Sequence, residues 1–120
     1  MASNQTMQLM TLSAKAANLT PAEYRAHGEL FRSTANSFLQ LAETEKPEDA
    51  FLVRSWQYYQ DALYQFSLAG QYEEQAGKDF EAYNFTAMVD SLKETARFME
   101  EGNRNLTLMH DSIDQSGIVY

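Results

Sequence analysis

Cysteine is absent from this chain of 120 residues, which excludes disulfides and thiolate metal sites. Proline occurs twice and glycine five times. With few long β-branched runs, that scarcity favours helix over strand. Positive charge is also scarce: nine Lys and Arg face seventeen Asp and Glu, a formal net charge of −8. Such a chain repels phosphate backbones and gains no attraction to anionic membrane surfaces, so nucleic-acid binding is disfavoured. No stretch approaches the roughly eighteen apolar residues of a membrane-spanning helix. The opening MASNQTMQLMTL has neither a basic n-region nor an apolar h-region, and does not read as a signal peptide.

Catalytic patterns are missing as well. Histidine occurs only at His27 and His110. A di-iron bundle needs two Glu-x-x-His pairs and two further glutamates facing inward, and no Glu-x-x-His occurs here. His27 follows Glu23 by four residues and reads as an exposed or half-buried side chain. The neighbours Glu73-Glu74 and Glu100-Glu101 point to different sides of a helix and read as solvated faces. No phosphate-binding loop, dinucleotide fingerprint, Gly-x-Ser-x-Gly or Ser/His/Asp cluster appears. The expectation is a non-enzyme with no cofactor and no metal.

What the chain does have is a dense aromatic stretch between Pro47 and Gly77. Seven of the fifteen aromatic residues lie between Phe51 and Tyr72. Leu52, Trp56, Tyr59, Leu63, Phe66 and Gly70 form one stripe at steps of three and four. Phe51, Ser55, Tyr58, Ala62, Ala69 and Tyr72 lie beside it. Both fit one broad apolar helix face, which needs neighbours on two sides.

The remaining segments have helical signatures too. Residues 4–18 place Met7, Met10, Ala14 and Ala17 on one face, with Leu9, Leu12 and Ala16 alongside. Thr20-Pro21-Ala22-Glu23 is a capping box with proline at the first helical position. Beyond it Tyr24, Phe31 and Phe38 recur every seven residues, with Gly28, Ala35 and Ala42 beside them. That alternation of large and small suits close helix packing. Gly28 is read as room for a bulky side chain. Gly77-Lys78 reads as a helix end, Asp79 as the next N-cap, and Gly102-Asn103 as a kink.

The predicted fold is all-α, one domain over residues 1–120. Short links imply an antiparallel up-down-up-down four-helix bundle, with helices near 4–18, 21–45, 47–77 and 79–114. The alternative is tetratricopeptide-like helical hairpins: a shift of thirty-four residues aligns Gly28 with Ala62, Ala35 with Ala69, and Ala42 with Ala76.

For function, Trp56, Tyr58, Tyr59 and Tyr64 form a candidate ligand or partner surface, since Tyr and Trp pair an apolar body with a polar tip. The competing expectation puts most of them in the core. Four of the six asparagines, Asn4, Asn18, Asn84 and Asn105, begin Asn-x-Thr, the acceptor for N-linked glycans. Asn18 and Asn4 are explained by helix ends, whereas Asn84 is expected inside the fourth helix with no capping duty. The resulting expectation is a non-catalytic extracytoplasmic sensing or protein-interaction module. Its partner would be a protein or a small-molecule ligand, with homo-oligomer formation open. The alternative is a cytosolic repeat-like adaptor.

Overall fold

The computed structural model describes residues 20–116. Three α-helices fill this span: α1 (Pro21–Thr44), α2 (Ala50–Glu81) and α3 (Phe85–Ser116). The all-helical expectation is met. The described residues hold three helices rather than four, and the predicted helix over residues 4–18 lies outside them. The tetratricopeptide-like alternative fails on α2, an unbroken helix of 32 residues that leaves no room for a hairpin within one repeat. The match at thirty-four residues has another cause. Gly28, Ala35 and Ala42 on α1, and Ala62, Ala69 and Ala76 on α2, are all buried, so both helices carry a seam of small residues with period seven.

The start of α1 follows local rules. Thr20 Oγ1 accepts from the Glu23 N–H, Glu23 reaches back to Thr20, and Pro21 opens the helix. α2 starts three residues later than expected, at Ala50, because Asp49 is its cap: the carboxylate accepts from Phe51 N–H at 2.9 Å. Its other end differs more. Gly77 does not end α2 but is buried within it, and an added Cβ there would come 2.4 Å from the Arg25 backbone nitrogen. Asp79 is not a cap either. Its carboxylate accepts from Gln75 at 3.0 Å and from Ser91 Oγ at 3.0 Å.

The break falls at Ala82–Asn84. Asn84 N–H donates to the Asp79 carbonyl at 2.8 Å, and Tyr83 N–H to the Phe80 carbonyl at 3.0 Å. This is the Schellman pattern, with Tyr83 in the left-handed position at φ 57°. Asn84 then caps α3, its Oδ1 accepting from Ala87 N–H at 3.2 Å. The expectation that Asn84 lies inside a helix without a capping duty is therefore overturned.

The register is antiparallel at both seams. Gly28 meets Glu74, Arg32 meets Gly70, and Arg25 meets Gly77, so residue numbers rise on α1 as they fall on α2. Tyr72 stacks on Phe98, and Phe66 lies on Gly102. α2 is the central helix and packs extensively against both others. At the α1–α2 seam the backbones themselves touch: a Cβ on Gly28 would sit 2.2 Å from Glu74 N and 2.8 Å from the Gly70 carbonyl oxygen. Gly28 thus admits a backbone, not the bulky side chain expected from the sequence. Gly102 lies within the unbroken α3. It leaves room for the Phe66 ring, whose nearest carbon would be 2.5 Å from an added Cβ.

The core joins Phe31, Ala35, Ala42, Ala62, Leu63, Phe66, Ala69, Leu106 and Met109, with Phe38 and Phe98 packed against it. Phe31 and Phe66 meet edge to face, centroids 6.1 Å apart. Tyr24 stands apart from this cluster, against Phe80. Two stability measurements test the arrangement. Phe66→Ala should cost about 3–5 kcal/mol. Gly28→Ala should cost about 2 kcal/mol or more in a denaturant melt, although alanine is the better helix former by about 1 kcal/mol. A Gly28→Ala protein as stable as the parent would contradict the backbone contact.

Candidate functional site

The close seam buries two ionisable side chains. His27 precedes Gly28 on α1, and Glu73 lies between Gly70 and Gly77 on α2. Their side chains are 9% and 6% exposed, and His27 Nδ1 is in direct hydrogen-bond contact with Glu73 Oε1. Burial pushes the Glu73 carboxyl up from its ordinary value of 4.5 to about 7. The reading of Glu73-Glu74 as a solvated pair is thus wrong for Glu73. Helix geometry separates the two neighbours: Glu74 turns outward to Arg32 at 3.3 Å and Lys78 at 3.9 Å. His27 finds its carboxylate across the seam, at Glu73, not at Glu23 along its own helix. The signal was available, because Glu73 falls within the small-residue stripe Gly70, Ala76, Gly77.

A buried carboxyl poised near neutrality is a common property of acid–base catalysts. Among the described residues no group of three His, Cys, Asp or Glu is placed to hold a metal. A surface hollow of about 280 Å³, lined by Gln71, Tyr72, Glu74, Gln75 and Lys78, touches neither His27 nor Glu73. The contact joins α1 to α2 across the close seam.

The four aromatic residues singled out from the sequence differ in their surroundings. Trp56 is half-buried and donates its Nε1–H to the Ala42 carbonyl at 2.6 Å, with Lys46 Nζ 6.0 Å from the ring centroid. Tyr58 and Tyr59 pack against the core, while Tyr64 is exposed. Tyr59 Oη and Ser55 Oγ, one turn apart, are buried without a hydrogen-bond partner. Burial, and then the charge of Glu45, push the Tyr59 hydroxyl up to about 12, so it stays protonated. Of the asparagines, Asn84 is exposed and Asn105 half-buried within α3. Asn4 and Asn18 lie outside the described residues.

No family model, curated protein or solved structure matches the chain. The surface must therefore be read from its own chemistry.

An aromatic group missed by the sequence reading gathers at the α2–α3 turn. Tyr24 packs on Phe80 and Phe80 on Phe85, each pair at 6.2 Å between centroids, and Tyr83 meets Phe85 at 6.4 Å. Tyr83 is 79% exposed and Phe85 55%. Val89, one turn beyond, is exposed as well. The sequence concealed this group because the helix break was expected five residues earlier, which would have put Tyr83 and Phe85 within a helix.

The buried pair has a signature in solution. A carboxyl with a raised folded-state pKa stabilises the fold fully below its ordinary pKa, and this contribution is lost as pH rises through the folded value. The melting midpoint of the parent minus that of Glu73→Gln should fall between about pH 4.5 and about pH 7. A difference that stays flat or grows over that range would show that Glu73 is not held protonated by burial.

Proposed function

We propose that the chain is a non-catalytic helical module that binds a protein partner through the aromatic turn between α2 and α3. The observation that carries this reading is Tyr83. Its backbone occupies the left-handed position where glycine is the usual residue, and a side chain there costs roughly 1 kcal/mol or more. The ring recovers little of that in the fold, since most of it faces solvent. An exposed aromatic group held at the tip of two long helices is suited to inserting into an apolar hollow. The net charge of −8 favours a partner with a basic rim.

A second reading is a glycosylated extracytoplasmic module, favoured by the exposure of Asn84. The two readings compete, because a glycan on Asn84 would stand between Tyr83 and Phe85 and screen them from a partner. The cytosolic adaptor belongs with the first reading.

Two experiments separate these proposals. Tyr83→Gly should raise stability by about 1 kcal/mol. The double variant Tyr83→Gly, Phe85→Ser should retain the fold and lose partner binding more than about tenfold in quantitative capture from the native source. Equal capture by both proteins would end the aromatic-turn proposal, and loss of self-association alone would make the partner a second copy. Intact mass of the native protein before and after glycan removal tests the other reading. An unmodified Asn84 is expected, and a glycan there would favour the extracytoplasmic module.

A further inference from the structure

The outer face of α2 is unusual for so acidic a chain. The inner side of the helix is taken up by core residues such as Ala62, Phe66 and Ala69. Ser67 and Glu74 mark the side toward α1, through Asn36 and Arg32. Tyr72 marks the side toward α3, stacked on Phe98. On the remaining face Tyr64 stands 54% exposed. Gln60 and Leu68 lie one turn to either side of it, then Gln57 and Gln71, then Val53 and Gln75. The steps outward from Tyr64 are four, three and four in both directions, so the stripe reads alike from either end. Gln57, Gln71 and Gln75 are exposed, and Val53, Gln60 and Leu68 half-buried. From Val53 to Gln75 the stripe spans about 33 Å, and none of its side chains is charged.

We infer that this face joins the chain to a second copy of itself, the two α2 helices lying antiparallel about a two-fold axis at Tyr64. A two-fold contact sets a patch against itself, so the patch must suit its own chemistry. A chain of net charge −8 repels its own copy, and the contact is best made where no carboxylate lies. The axis sets Tyr64 against Tyr64, an aromatic pair at the centre of the contact. Gln57 falls opposite Gln71 of the second copy. Carboxamides both donate and accept hydrogen bonds, so these pairs satisfy one another. Val53 falls opposite Gln75, beside the hollow of about 280 Å³ that Gln71, Gln75 and Lys78 help to line. Lys78 comes level with Asp49 of the second copy, a pair of opposite sign. Asp61 flanks the stripe, and its two copies stand about 9 Å apart along the axes, close to a Debye length. The face is separate from the aromatic turn, and antiparallel pairing of α2 presents the two turns at opposite ends of the dimer.

The chain has no cysteine, so introduced thiols report the register. In the full chain, Tyr64→Cys should form a disulfide-linked dimer under mild oxidation, since the axis brings its two thiols together. Gln57→Cys alone should not, because its two copies lie about 21 Å apart along the axes. A mixture of the Gln57→Cys and Gln71→Cys proteins should cross-link one to the other. Dimers of Gln57→Cys alone in the same yield as in the mixture would overturn the two-fold register. Sedimentation gives an independent reading. The parent should sediment as a dimer. Tyr64→Glu sets two carboxylates at the axis and should give a monomer with the parent's helix content. A parent that stays monomeric at every concentration, or a Tyr64→Glu protein as dimeric as the parent, would overturn the assignment. The variant Tyr83→Gly, Phe85→Ser should dimerise like the parent. A monomer there would put the second copy on the aromatic turn, and the assignment to α2 would fall.

Discussion

The backbone contact between α1 and α2 governs much of the rest of the structure. At Gly28 and Gly70 each helix presents bare backbone to the other, so the axes approach more closely than side chains would allow. This contact fixes the register, because a slide by one residue would drive a Cβ into a peptide unit. It also decides what is buried. His27 and Glu73 stand beside these glycines, and once the helices close neither has ready access to water. Direct pairing is how two such groups remain compatible with an apolar seam.

The two seams of α2 use different physics. Toward α1 it offers glycine and alanine, and the helices meet backbone to backbone. Toward α3 it offers rings, with Phe66 laid on Gly102 and Tyr72 stacked on Phe98. Edge-to-face contact of Phe31 with Phe66 links the sides into one core. The glycines are thus explained by position: each of these stands where something else must come close, not where a helix ends.

That distinction also shapes the surface. Because Gly77 serves packing, α2 runs on for another turn and the reversal occurs at Ala82–Asn84. The reversal lacks glycine at its left-handed position, so an aromatic residue is turned outward there. The aromatic turn follows from the core being organised around α2, which leaves Tyr83 and Phe85 exposed at its end.

The helical class, the capping box at Thr20 and the core roles of Phe31, Leu63 and Phe66 were determined by the sequence alone, since these depend on local hydrogen bonding and on spacing along one helix. So was the importance of the seven-residue repeat of small residues on α1. What those small residues admit was decided only by tertiary structure, because glycine as a helix end and glycine as a contact point look identical in sequence. The same ambiguity hid Glu73, whose burial depends on His27 and its helix, forty-six residues away, and displaced the last helix boundary. It also gave Asn84 a capping role that its neighbours in sequence did not reveal. The tertiary partner, not the local pattern, settled each of these positions, because burial is a property of two surfaces meeting.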